Sequence, residues 1–125
     1  MAEDSWSLGY SDGSNNNLRV WLDGAAVRYV FKPTTPLSSS SGTYSGGKPS
    51  SGLVPGEFVV ELWSRVQALA GHTEWHTEMR VMGSGAFTVS IGGDEQHFRI
   101  QPCVAIADFD KWLRGTLDLG ASGHR

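Results

Sequence analysis

Two periods organise the hydrophobic residues of this chain: short stretches in which apolar and polar side chains alternate, and two longer ones in which apolar residues return at about every third or fourth position. Leu18-Arg19-Val20-Trp21-Leu22 alternates and stops at Asp23-Gly24, a strong hairpin signal. The run Ala26 to Lys32 follows, with Val27, Tyr29 and Phe31 on one side, and Pro33 ends it because it has no amide hydrogen for a ladder. After Pro55 the period changes. Phe58, Leu62, Val66 and Leu69 recur at helical spacing, with Val59, Trp63 and Ala70 beside them, which predicts a helix over about 56–70. Glu57 and Glu61 suit its N-terminal end and Gly71 its stop.

Alternation then returns. Trp75, Thr77, Met79 and Val81 share one face of a first segment, Phe87, Val89 and Ile91 one face of a second, and Phe98 and Ile100 one face of a third. Gly83-Ser84-Gly85 and Gly92-Gly93-Asp94-Glu95 make the turns, and Pro102 closes a three-stranded meander. Asp108 reads as the cap of a second helix, in which Phe109, Trp112, Leu113, Thr116 and Leu117 form one stripe. Residues 1–17 are polar and read as a loose arm, although Trp6, Leu8 and Tyr10 alternate and would suit a strand. Residues 18–120 then make one domain, and 121–125 a polar tail. The order is ββ-α-βββ-α. Every strand alternates, as in a sheet with one wet face, so the expected fold is α+β: a five-stranded, mostly antiparallel sheet with two helices packed on one side.

A length of 125 residues suits one domain with its own core. The net charge of −3 argues against bulk nucleic-acid binding, which needs a basic stripe to displace counterions from phosphates. A single cysteine, Cys103, rules out an intrachain disulfide and favours a reducing compartment. The first residues lack the basic and apolar regions of a signal peptide, and no apolar run approaches the ~20 residues of a membrane span. These features lead to the expectation of a cytoplasmic protein without a membrane partner.

Three catalytic readings can be weighed. Gly42 to Lys48 fits the G-x-x-x-x-G-K of a phosphate loop, but Pro49 stands where a magnesium-binding Ser or Thr belongs, and no strand precedes it. His72, Glu74, His76 and Glu78 would share one face of a strand, with His97 from the meander as a further metal ligand. Residues two apart on a strand are about 7 Å apart, too far to close a compact site, and a solvated sheet face explains the pattern as well. Cys103 with His97 or His76 would make a nucleophile and base, yet its apolar neighbours read as a small buried hydrophobe. No cofactor is expected.

Two surfaces suit recognition better. The stretch Pro33 to Pro55 is long for a loop, and its centre, Ser38 to Gly52, holds seven serines and four glycines around Tyr44 and Lys48. Tyr among Ser and Gly is the chemistry of adaptable recognition loops, and equally of a linker with one aromatic. On the outer side of the sheet, Arg19, Trp21, Arg28, Val30 and Lys32 fall opposite the core residues, with Arg80, Arg99 and Gln101 on the outer side of the meander. A Trp among arginines has the make-up of an interface hot spot, unless Trp6 or Tyr10 covers it.

Ser45-Gly46-Gly47 followed by an amphipathic helix, a meander and a final helix resembles the small emfourin-type inhibitors of thermolysin-like proteases at a few positions, and no residue role is carried over from them. In size and acidity the chain is similar to small bacterial immunity proteins. Both resemblances imply a protein that blocks an enzyme. The expectation is thus a non-enzymatic domain that binds a protein through the 38–52 loop and the outer sheet face. An inhibitor or immunity-type protein, a metal-dependent enzyme at the histidine cluster, and a homo-oligomer are the alternatives.

Overall fold

The sheet is built outward from the alternation nearest the N-terminus. The computed structural model describes residues 5–34, 44–119 and 123–124. In chain order the strands are β1 (Trp6–Asp12), β2 (Asn17–Asp23), β3 (Ala26–Lys32), β4 (Tyr44–Ser45), β5 (Ser50–Val54), β6 (Gly85–Ile91), β7 (Asp94–Ile100) and β8 (Gly123–His124), with helices α1 (Gly56–Gly71) and α2 (Val104–Leu117). Six strands form one sheet in the order β5-β3-β2-β1-β6-β7, and every pairing in it is antiparallel. β4 and β8 pair separately.

The α+β class, the antiparallel sheet and the two helices are as the pattern predicts, but the sheet has six strands rather than five and a different order. Three differences account for this. Residues 6–12, expected in an arm, form β1 and lie at the centre of the sheet, with Leu8 opposite both Val20 and Val89. Residues 50–54, expected in the long loop, add the edge strand β5 beside β3. Residues 75–81, expected as a meander strand, do not form one. The place beside β6 is taken by β1 along its whole length, from Trp6 opposite Ile91 to Asp12 opposite Gly85. The 72–82 segment instead makes a 3-10 turn at Thr73–Trp75 and a single bridge from His76 to Ile100 on the edge of β7. Met79 and Met82 consequently stay exposed.

Strand alternation aims Leu8, Tyr10, Leu18, Val20, Tyr29, Phe31, Phe87, Val89 and Ile100 at the helices, where all are buried. Full burial of each such side chain contributes about 1.5–3 kcal/mol. From α1 come Phe58, Leu62, Val66 and Leu69, the stripe read from the sequence. From α2 come Ile106, Phe109 and Leu113. α2 begins four residues before the expected cap at Asp108, with Cys103 preceding its first turn, because Ile106 extends the apolar stripe by one turn. Trp6 packs edge-on against Trp63 of α1, with ring centres 5.1 Å apart.

One polar group crosses this core. Arg114 of α2 is buried, and it donates to Asp110 at 2.9 Å, to Asp12 at 3.3 Å and to the Gly46 carbonyl at 2.6 Å. Asp12 also accepts from both nitrogens of Asn16, whose Oδ1 accepts from the Thr34 amide at 2.7 Å. Gly46 must be glycine here, since a Cβ would fall 1.5 Å from Asn16 Oδ1. Further bonds from the Gly46 amide to Thr34 and from the Lys48 amide to Leu119 tie this segment down. The described part of the Ser/Gly-rich stretch, from residue 44 onward, is therefore anchored to the body of the protein.

Candidate functional site

The opposite face of the sheet carries the side chains that alternation turns away from the core, and no described element covers it. β1 presents Ser7, Gly9 and Ser11 there, and its neighbour β6 presents Ala86, Thr88 and Ser90. These small side chains leave a shallow trough two strands wide. On one side β2 raises Arg19 and Trp21, and β3 adds Arg28, Val30 and Lys32. On the other side β7 raises Glu95, His97 and Arg99. The Arg19 guanidinium lies over the Trp21 ring, 4.8 Å from its centre, in a cation–π contact. Tyr10 packs among Phe87 and Phe109 on the helical side of the sheet, while Trp6 packs on Trp63 there and also borders the depression beside Trp21, which is half-buried.

Three depressions mark this face. One of about 230 Å³ lies at the Trp21 end, between Arg19, Ser7 and Ser90. A second of about 310 Å³ lies over β7, lined by Glu78, Thr88, His97 and Arg99. The third, of about 140 Å³, is lined by Ser11, Asp12, Asn15, Ser84, Arg80 and Arg99. The charges on the face divide into paired and unpaired groups. Arg28 is held by Asp23 at 2.7 Å, and His97 bonds Glu95 at 2.7 Å and Thr88 at 3.1 Å. Arg19, Lys32, Arg80 and Arg99 form no ion pair with any described residue.

The structure thus brings together Arg19, Trp21 and Arg28, and places Arg80 at the far end of the same face. It sets Lys48 apart, on the other side of the molecule, where its Nζ is 3.7 Å from Asp118 near the end of α2. The strand–loop–helix of a phosphate loop is not formed there, since Lys48 is followed by β5. The Tyr44 backbone belongs to β4, while its side chain and residues 38–43 lie outside the described residues.

The histidine cluster is dispersed. His72 bonds Glu74 at 3.1 Å and stacks on Trp75, and this bond lowers the Glu74 carboxyl below its ordinary range. His76 bonds the Leu69 carbonyl at 3.2 Å and stacks on Phe98. His97 is on the open face with its own partners. His72, Glu74, His76 and Glu78 were expected on one strand face, but no strand forms there, and the turn at 73–75 leaves His72 beside Glu74 and sends His76 to the Leu69 carbonyl. Among the described residues no group of three His, Cys, Asp or Glu side chains is placed to hold a metal. Cys103 is half-buried before α2, with no hydrogen bond to His76 or His97.

The small-residue trough was not singled out from the sequence as a site. The signal was present in the run of Ser, Gly, Thr and Ala at alternate positions of residues 7–11 and 86–90, but it becomes a trough only when β1 and β6 are neighbours. Among the described residues no helix is long and apolar enough to cross a membrane. Comparison of the chain with protein-family models, with curated proteins and with solved structures finds no match.

Proposed function

We propose that this chain is a non-enzymatic binding domain that recognises another protein through the open face of its sheet, with Trp21 as the anchor and Arg19 and Arg28 beside it. The observation that carries this reading is the uncovered face itself. A large aromatic lies under a guanidinium next to a trough floored by small side chains. A Trp that is already oriented loses little freedom on binding, and Trp and Arg are the residues that most often dominate interface energies. The 38–52 stretch, with Tyr44 and Lys48, is the second contact surface in this reading. Blocking an enzyme, as inhibitors and immunity proteins do, is one form such recognition takes.

The test compares capture of a partner by the intact protein, by Trp21→Ala and by a variant in which residues 38–43 are replaced by a Gly/Ser linker and Tyr44 and Lys48 by Ala. The expected result is loss of the partner with Trp21→Ala, while stability falls by clearly less than the ~3–5 kcal/mol that removing a buried Trp costs. A large fall in stability with Trp21→Ala would make that residue part of the fold rather than the site. Undiminished capture by both variants would remove both surfaces.

A further inference from the structure

The geometry points to an acidic, extended segment of a partner protein as the occupant of the trough, its carboxylates received by Arg99 and Arg80 at one end and by Arg19 at the other. This rests on the open face being the binding surface and adds the chemistry of what it binds. The argument begins with charge. The chain as a whole is acidic, at −3, yet among the described residues the groups on this face without a permanently charged partner are Arg19, Lys32, Arg80 and Arg99 against Glu78 and Glu95, the latter bonded to a histidine. Much of the negative charge lies elsewhere: Glu57, Glu61, Asp108 and Asp118 are exposed on or just after the helices. A positive face on an acidic protein steers acidic partners toward it and turns the rest of the molecule away from them.

Shape agrees with this. β2 and β7 are three strand spacings apart, which sets the walls of the trough about 14 Å from one another. The depression lined by Arg80 and Arg99 also holds Ser11, Asn15, Ser84 and Asp12, and the Asp12 carboxylate is already held by Arg114 and Asn16, so the two guanidinium groups are the charges this small hollow has left over. Arginine forks suit carboxylates because two parallel N–H groups meet two oxygens. Single-stranded nucleic acid fits less well. It needs a series of aromatic platforms, and among the described residues Trp21 is the one Trp, Tyr or Phe that alternation places on this face.

The test uses a fluorescently labelled peptide of alternating Glu and Leu, its Gln and Leu counterpart, and oligothymidylate of similar charge, each titrated into the full chain by anisotropy. The Glu peptide is expected to bind, more weakly at high salt, and the Gln peptide not measurably. Arg80→Ala with Arg99→Ala should weaken binding about tenfold, and Arg19→Ala, exposed and safe for folding, by a smaller factor in the same direction. Equal binding of the Glu and Gln peptides would overturn the acidic partner while leaving the face intact, provided Trp21→Ala still weakens both. Binding that ignores all three arginines would place the contact elsewhere and overturn the proposal. Preference for oligothymidylate with dependence on Trp21 would reassign the face to nucleic acid. Self-association without peptide, abolished by Arg99→Ala, would make a second copy the occupant. Failure of every probe would also overturn it.

Discussion

The two faces of one sheet use arginine in opposite ways. On the covered face Arg114 is enclosed between α2, β1 and the returning 44–48 segment, with three acceptors satisfied and the Phe31 ring 5.4 Å away. On the open face Arg19 touches an aromatic and no carboxylate. A buried guanidinium without acceptors would cost more than the fold can offset, so Arg114 is committed to holding the structure. An exposed one costs little while unpaired, so Arg19 keeps its donors available. The comparison separates charges that build this protein from charges it has left over for a partner.

The largest effect expected from breaking the covered face is at Phe87. It is buried against Tyr10, Phe98 and Phe109, with ring centres 4.9–5.3 Å away. Phe87→Ala should lower unfolding free energy by about 3–5 kcal/mol, measured by urea denaturation. A loss below about 1 kcal/mol would mean the aromatic cluster is not packed as described. Arg114→Ala comes next, at about 3 kcal/mol, because Asp12 and Asp110 lose their partner while largely shielded from water. Arg114→Lys should rescue only part of this, since a single ammonium cannot reach three acceptors in the fork geometry.

A smaller effect is expected at Tyr10, whose hydroxyl donates to Asp110 at 2.9 Å. Burial, and then the Asp110 carboxylate, hold its proton on well above the usual 10.0. The unfolded chain releases that proton near the usual value, so above it the unfolded state binds fewer protons than the folded one. Stability contributed by the neutral phenol is complete below pH 10.0 and is lost as pH rises through the folded-state value. Tyr10→Phe should cost about 1 kcal/mol at neutral pH and reduce the alkaline fall in stability. An unchanged alkaline profile would show that another group causes it. The smallest effect sharpens the opening contrast. Arg19→Ala should change stability by less than about 0.5 kcal/mol, against about 3 for the same substitution at Arg114. Comparable losses would mean that the open face is structural too.

Much of the covered face was legible along the chain. The stripe of Phe58, Leu62, Val66 and Leu69 needs only a period of about 3.6 residues, and all four are buried. The hairpin turns at Gly24 and at Gly92-Gly93 were marked by glycine, and each has the positive φ that glycine tolerates best. The site was legible in part. Arg19, Trp21 and Arg28 follow from alternation once β2 and β3 pair, but Arg114 looked like any polar residue on a helix. Nothing local distinguishes a guanidinium that meets solvent from one that meets Asp12, about a hundred positions earlier in the chain.

The sequence by itself therefore determined the class of element at most positions and the side of each that would be buried, because periodicity is a local property of the backbone. The tertiary structure decided which strand lies beside which. That choice placed residues 6–12 rather than 75–81 next to β6, turned two runs of small residues into one trough, and scattered the histidines. Pairing between strands distant in sequence depends on how well whole faces fit and on the hydrogen-bonding edges they leave, and those energies exist only after the chain has closed on itself.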